Sequence, residues 1–384
     1  EIMPSLVGAE MCIRDRYKEL SGSNCSIDIF TKCHKSHFEK VTQISPSLRV
    51  IHVDGIPENI EKNDAFSYLP HVEHAIENFV SKYSIKYDII HSHYWLSGSI
   101  GLSLSIKWKI PHVSTFHTLA QKKMLARVGE YETNERLKVE STMAEYSDSI
   151  IISTQDEADT IKDIYNISNN KLNVIPGGVD LNLFKPKDKI QSKAQLGFNT
   201  EKIILAVARL EPLKGLDILI SAIYKIESNS DITLLIAGDY LNNQNEFERL
   251  KTIVNGLGLT KNIKFLGNID HNKMPIYMSA ADVLVMPSYY ESFGLAALEA
   301  MACGTPVITS RNSGAKTFIE QGRSGYLIPW NCPEHYAERL EILLKNPILR
   351  ANMGQKATRE ANKLSWNTAA TKTELVYSNL IKSA

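Results

Sequence analysis

The sequence is short of extremes, and each shortage excludes something. Its 43 Lys and Arg are matched by 43 Asp and Glu, so the formal charge is +0. Without a basic excess there is no electrostatic case for a nucleic-acid partner, and no polybasic patch points strongly to a membrane. No apolar run approaches the roughly 20 residues needed to span a bilayer. No secretory signal pattern is present either. Cysteine is scarce: Cys12, Cys25, Cys33, Cys303 and Cys332 are scattered, with no CxxC pair. An odd number of dispersed thiols argues against a disulfide scaffold and for a reduced, cytoplasmic protein.

Residues 1–16 lack regular patterning. EIMPSLVGAEMCIRDR has no clean periodicity and no clear strand. Its core, SLVGAEMCIRDR, resembles a translated adapter of the kind carried into some assembled sequence sets. Native-like patterning begins near Tyr17, so an authentic first strand and its loop are expected to be missing or replaced.

What is present is βα repetition over a 384-residue chain, long enough for two domains. Candidate strands are CSIDIF (25–30), LRVIHV (48–53), YDIIHS (87–92), HVSTFH (112–117), DSIIIS (148–153) and KLNVIP (171–176). Helical patterns fill about 69–83, 97–107, 131–146 and 155–165. A break rich in glycine, proline and charge covers 176–197. The pattern then restarts with KIILAVA (202–208), DITLLIAG (231–238), NIKFLG (262–267), DVLVMP (282–287), PVITS (306–310) and YLIP (326–329). Helical segments lie between and after them, at about 215–226, 244–256, 272–280, 294–302 and 333–345, and a long helical tract follows from 347 to 383. Continuous β-branched runs without clean alternation are what parallel strands buried on both faces require. The expected architecture is α/β: two Rossmann-like domains, 1–182 and 183–365, facing across a cleft, with a helix at 366–384 packing back on the first domain.

In open parallel sheets, ligands sit outside the carboxyl ends of the strands. His91, His93 and Tyr94 follow one strand, and His117 and Thr118 follow another. His91 reads as structural, His117 as a ligand contact, and His93 as either. Zinc held by three histidines would want a paired Cys or Asp, and none accompanies them, so no metal is expected. In the second half, Arg209 and Lys214 flank the turn RLEPLKG, where both can reach one phosphate-bearing ligand. The alternative is a surface pair partnered by Glu211. Gly238 ends another strand, where it permits close backbone approach.

The stretch ESFGLAALE (291–299) places two carboxylates around a helix start. Unpaired amides at Gly294 and Leu295 suit a diphosphate. A carboxylate at either end can accept hydrogen bonds from a sugar diol. Two solvated glutamates are the plain alternative for each residue taken alone.

Together HSHYWLSG (91–98), STFHTL (114–119), PGGVDLNLFKP (176–186), ARLEPLKGLD (208–217) and ESFGLAALEAMACGTPVI (291–308) resemble the retaining glycosyltransferases of family 4, which have the GT-B fold. The resemblance implies an enzyme that takes a nucleotide sugar and transfers the sugar with retention. The first domain would hold the acceptor and the second the donor. Carried over by residue, Glu299 would bind the ribose and Glu291 the donor hexose. Arg209 and Lys214 would stabilise the leaving diphosphate, with Phe293, Gly294 and Leu295 holding the donor through backbone. His117 would contact the transferred sugar, and backbone around Gly238, Gly267 and Asn268 would hold the nucleotide. UDP-glucose is the expected donor, with UDP-N-acetylglucosamine and GDP-mannose as alternatives; no cofactor is required. The motifs around His91 and His117 resemble the subset that uses phosphorylated acceptors, which includes sucrose-phosphate synthases and an actinobacterial enzyme acting on inositol phosphate. There Lys62, Tyr94, Thr118 and Arg136 would cup the acceptor phosphate. Both partners are then small molecules, and peripheral membrane contact stays open.

Two departures stand out. The family's glycine-rich loop after its first strand is lacking. In RNSGAKTFIE (311–320), Ser313 replaces the first glycine of a second turn and Thr317 stands where a Glu is expected. The reading from another class is a non-catalytic sugar-binding protein, which gives Arg209, Lys214 and Glu299 no reason to converge.

Overall fold

The protein is described by a computed structural model at residues 7–22, 25–33, 40–57, 60, 64–198, 202–227, 231–241, 243–329 and 331–383, with side chains from residue 13 onward. The chain divides into two units: residues 1–178 with 366–384, and residues 179–365.

Unit 1 contains helix α1 (Val7–Leu20) and strands β1 (Ile27–Lys32), β2 (Val41–Ser45) and β3 (Leu48–Val53). Next come α2 (Leu69–Lys82), β4 (Ile90–His93), α3 (Tyr94–Trp108), β5 (His112–Thr115), α4 (Ala120–Ala126) and α5 (Asn134–Tyr146). Strand β6 (Ser149–Ile152), α6 (Gln155–Tyr165) and β7 (Leu172–Val174) complete its first segment. Its strands form two sheets, β1-β3-β2 and a parallel β4-β5-β6-β7. Strands β1 and β4 each end a sheet, so each pairs on one side only among the described residues. The described part of the patternless opening, from Val7, belongs to helix α1, which buries Ile13, Tyr17 and Leu20.

Unit 2 contains α7 (Lys189–Gln195), β8 (Lys202–Val207), α8 (Leu216–Lys225), β9 (Ile232–Ala237), α9 (Gln244–Gly256) and β10 (Ile263–Gly267). It continues with α10 (Met274–Ala280), β11 (Val283–Met286), α11 (Leu295–Ala302), β12 (Val307–Ser310), β13 (Gly325–Ile328), α12 (Pro333–Lys345) and α13 (Pro347–Ala361). The sheet runs β10-β9-β8-β11-β12-β13, all parallel. Side chains alternate across it. Ile203 and Leu205 join one core with Met278, Leu298, Met301 and Ala357, from α10, α11 and α13. Ile204 and Ala206 join the opposite core with Leu219, Leu250 and Leu340, from α8, α9 and α12. Helices therefore cover both faces, which is why the strands carry no polar side. The ends of the unit are clipped together where the Val179 amide donates to the Leu364 carbonyl at 3.0 Å. Helix α14 (Trp366–Ser383) then returns to unit 1 and packs on α1.

The sequence pattern overlooked β2, α4 and α7. Strand β2 is a short antiparallel edge with two exposed residues, so it lacks a hydrophobic run. Helix α7 is mostly polar, and its N-cap Asp188 accepts from the Gln191 amide at 2.8 Å.

One buried charge cluster ties α7 and α13 to the sheet of unit 2. Asp282, just before β11, accepts from Lys193 Nζ at 2.8 Å, Arg350 Nε at 3.2 Å and the Ile203 amide at 2.9 Å. Burial pushes its carboxyl pKa up, but Lys189, Lys193 and Arg350 outweigh burial and leave it lowered. A carboxyl lowered on folding contributes stability above its unfolded pKa of roughly 4, and that contribution is lost as pH falls through the folded value. Asp282→Asn should cost on the order of 3 kcal/mol at neutral pH, because it leaves the cations uncompensated. It should also flatten the acid limb below about pH 4; urea titrations at pH 7 and pH 3 check both.

Candidate active site

The parallel sheet of unit 2 brings the polar groups of several turns to the carboxyl ends of its strands. After β8 the chain makes a tight turn at Pro212–Lys214 and enters α8. Lys214 does not pair with Glu211. Its Nζ meets Glu291 Oε2 at 2.7 Å, with the two side chains 14% and 20% exposed. Arg209 does meet Glu211, Nη1 to Oε1 at 2.6 Å, so the surface-pair alternative describes one of the two cations and not the other.

Glu291 lies after β11, where a short bridge pairs it with Ser313 and its carbonyl accepts from the Gly314 amide at 2.8 Å. Gly294 follows with φ +93°, and a Cβ there would come within 3.1 Å of the Ala315 Cβ. Only glycine takes that backbone without strain, and it lets α11 begin at Leu295. The helix shows Leu295, Ala296 and Glu299 on its partly exposed side and buries Ala297, Leu298 and Ala300. Its first amides have no intrahelical acceptor, so a partial positive charge sits between the two glutamates. Phe293 packs inward, 4% exposed, against Phe318, leaving its backbone as its polar part.

Glu299 has a partner that the sequence pattern did not supply. His271 Nε2 lies 3.0 Å from Glu299 Oε1, and the ring rests on Phe184 at 4.9 Å. His271 follows β10, so the same carboxyl-end rule that singled out His117 applied to it. Gly267 ends β10, and Asn268 next to it is exposed. At Gly238 the close approach is internal: a Cβ would stand 1.9 Å from the Ala208 carbonyl oxygen. The backbone contact allowed there is thus β9 on β8. The substitution at Ser313 is accommodated because its φ of −82° does not call for glycine, and its hydroxyl accepts from the Ala315 amide at 3.1 Å. Thr317 donates to the Gly314 carbonyl at 2.8 Å.

Unit 1 gathers Tyr94, Thr118 and Arg136. Arg136 is 1% exposed, so it is not a solvated helix charge. Its Nη1 donates to Tyr94 Oη at 2.9 Å and Nη2 to Thr118 Oγ1 at 3.0 Å. The guanidinium also stacks on the Tyr94 ring at 4.9 Å. Its charge is compensated inside the unit, however: Nε pairs with Glu140 at 2.7 Å and Nη1 with Glu132 at 2.9 Å. These glutamates stand one turn away on either side, and Glu132 also binds Lys123. Lys62 lies outside the described residues.

The histidines form a connected group. Tyr17 Oη lies 2.7 Å from both His91 Nδ1 and His93 Nε2, and His93 Nδ1 lies 2.9 Å from His117 Nε2. His117 and Tyr94 are non-glycine residues at φ +60° and +75°. Such strained backbone just past two strand ends is what a site held by its surroundings shows. Burial pushes the His117 pKa down to about 3, with the nearby Arg16 adding to it, and holds His91 and His93 well below the usual range. Among the described residues, no group of three or more His, Cys, Asp and Glu could hold a metal ion.

The family model for Glycosyltransferase Family 4 matches residues 7–183, and that for Glycosyl transferases group 1 matches residues 188–360. The chain is 32% identical to the D-inositol 3-phosphate glycosyltransferase of Corynebacterium efficiens, over 97% of its own length and 90% of that protein. It resembles the solved sucrose-phosphate synthase of Thermosynechococcus elongatus with a TM-score of 0.91 at 30% identity, covering 98% of this chain and 94% of that one. The Anabaena protein HepE, solved with UDP and glucose, shares the fold at 21% identity, with a TM-score of 0.80 and coverage of 99% and 98%.

The buried histidines have a measurable consequence. An unfolded histidine takes up a proton near pH 6.5, whereas folded His117 resists until about 3. Between those values the unfolded state binds more protons, so stability is full above pH 6.5 and falls towards pH 3. His117→Gln should reduce that slope, measured by urea unfolding at intervals from pH 7 to pH 4.

Proposed function

The chain belongs to the family 4 and group 1 glycosyltransferases, and from that membership we propose that it transfers glucose from UDP-glucose, with retention, to a small phosphorylated polyol or sugar. The observation that carries the reading is the set formed by Lys214, Glu291, the start of α11 and Glu299. It offers a cation and helix amides to a diphosphate, with a carboxylate towards each of the two sugars.

Departure of the nucleotide builds negative charge on the diphosphate oxygens. Lys214, Arg209 and the first amides of α11 are the groups suited to that charge, and they need little rearrangement to meet it. Glu291 would orient the hexose through its hydroxyls, while its bond to Lys214 holds the ammonium in place. Glu299 would accept from the ribose hydroxyls. The acceptor hydroxyl attacks the anomeric carbon from the face the diphosphate leaves, and its proton passes to the departing phosphate oxygen. That route requires no protein nucleophile.

Tyr94, Thr118 and Arg136 support the phosphorylated acceptor, as do the names of the relatives, one acting on inositol 3-phosphate and one a sucrose-phosphate synthase. Here Glu132 lies against Arg136 and Lys123 as an internal anion, so a bound phosphate would displace it. No helix of the described residues is long and apolar enough to cross a membrane. The free thiols Cys25, Cys33, Cys303 and Cys332 support a cytoplasmic setting.

A donor-by-acceptor screen tests this. UDP-glucose, UDP-N-acetylglucosamine, GDP-glucose and GDP-mannose would be crossed with fructose 6-phosphate, inositol phosphate, their unphosphorylated forms and lipid acceptors. Turnover is expected with UDP-glucose and a phosphorylated acceptor, and equal turnover of the unphosphorylated forms would refute the role of the unit 1 cluster. Lys214→Ala should weaken UDP binding by about tenfold, the loss of one charge-assisted contact. Glu291→Gln should weaken UDP-glucose more than UDP. Because the two side chains are bonded, calorimetry on the double variant should show less than the summed loss.

A further inference from the structure

The hydrogen-bond group around His117 extends further than the contact already described. It joins α1, the ends of β4 and β5, and α14. Tyr377 Oη lies 2.5 Å from His91 Nδ1 and 3.3 Å from Tyr17 Oη. His91 Nε2 lies 2.9 Å from Thr115 Oγ1. With the contacts of Tyr17 to His91 and His93, and of His93 to His117, this makes one continuous chain. Hydrogens are assigned by asking which arrangement satisfies every contact.

Neutral imidazole carries one N–H and each phenol one O–H. The three rings stay neutral because they are buried and because Arg16, itself 4% exposed on α1, adds positive charge beside them. His112, on β5, faces His91 as well and is held neutral by burial, with a pKa pushed down to about 4.

Suppose first that His91 Nδ1 carries a lone pair. Both tyrosine hydroxyls must then crowd their hydrogens into it, and the Tyr17–Tyr377 contact has no hydrogen. Suppose instead that His91 Nδ1 carries the hydrogen. It donates to both phenol oxygens, a three-centre bond of a common kind. Thr115 donates to His91 Nε2, and Tyr377 donates to Tyr17, because the reverse direction would leave the buried Tyr377 O–H without an acceptor in this group. The Tyr17 hydrogen is left for His93 Nε2, so His93 Nδ1–H donates to His117 Nε2. Every contact then holds a hydrogen, the one on His91 Nδ1 being shared between two.

We propose that Tyr17 is a positioning residue that sets the tautomer of His117, leaving that ring with Nδ1–H and therefore as a hydrogen-bond donor to a sugar oxygen, not as a base. The hydroxyl on α1 acts through His93. Tyr377 completes the chain from α14 without determining its direction at His93. The assignment rests on the reading of His117 as a contact to the transferred sugar only for its effect on catalysis; the tautomer itself needs no ligand.

The test is the imidazole nitrogen spectrum of the full-length protein with 15N-labelled histidine, recorded without substrate at pH 7. His117→Gln identifies the signal. His117 is expected as the Nδ1–H tautomer, whereas free histidine favours Nε2–H. Tyr17→Phe keeps the ring but removes the hydrogen, and should move His117 towards Nε2–H. With donor and acceptor present, kcat should fall about tenfold with donor KM changing less than twofold, the pattern of a contact made mainly in the transition state. Tyr377→Phe should leave the His117 signal unchanged. An Nε2–H signal for His117 in the unaltered protein would overturn the proposal, and so would a Tyr17→Phe spectrum and kcat that match it. If Tyr17→Phe does not fold, the spectrum of the unaltered protein decides. A protein without transfer activity that still shows the Nδ1–H signal would leave the tautomer standing and refute the proposed function alone.

Discussion

The structure depends on strand direction. Every strand of the six-stranded sheet in unit 2 runs parallel, so every carboxyl end falls on one edge. Each strand-to-helix turn there exposes helix amides, and each helix covers a face of the sheet that cannot tolerate charge. Polar side chains that stay open to a ligand are therefore gathered at that edge, whichever part of the sequence supplies them. Lys214 after β8, His271 after β10, and Glu291 with Glu299 after β11 are far apart in the chain and gathered by this one constraint. The parallel β4-β5-β6-β7 sheet of unit 1 does the same for His93, Tyr94 and His117.

Within this frame, pairing decides what each charge can do. Lys214 and Glu291 hold one another while keeping some exposure, so both remain available to a ligand. Arg136 is different. It organises Tyr94 and Thr118 through hydrogen bonds, yet Glu132 and Glu140 compensate its charge inside the unit. A buried cation without those carboxylates would carry a desolvation cost of several kcal/mol. The same arrangement that makes the cluster rigid makes its charge conditional on Glu132 moving.

Much of this was legible in the chain. Long β-branched runs marked β3, β8 and β9 to within about a residue, because burial on both faces leaves only apolar choices. The glycine and two glutamates of ESFGLAALE marked a helix start with polar ends, and the structure places Gly294 at the left-handed position that opens α11. Edge and polar elements were not legible: β2 and α7 are short and carry no periodic apolar face. Nor was the C-terminal helix's Tyr377 recognisable as a neighbour of His91, since nothing in a helical repeat announces a partner 286 residues away.

By itself, the sequence determined the alternation of strands and helices, the types of chemical group at the strand ends and the family resemblance. These follow from local periodicity and from residue types that only a few backbone conformations accept. Tertiary structure alone decided which groups pair: Lys214 with Glu291 and not Glu211, His271 with Glu299, Arg136 with two glutamates, and Tyr17 between two histidines. Hydrogen bonds and ion pairs act over about 3 Å, and a linear chain does not state which of its distant residues will come that close.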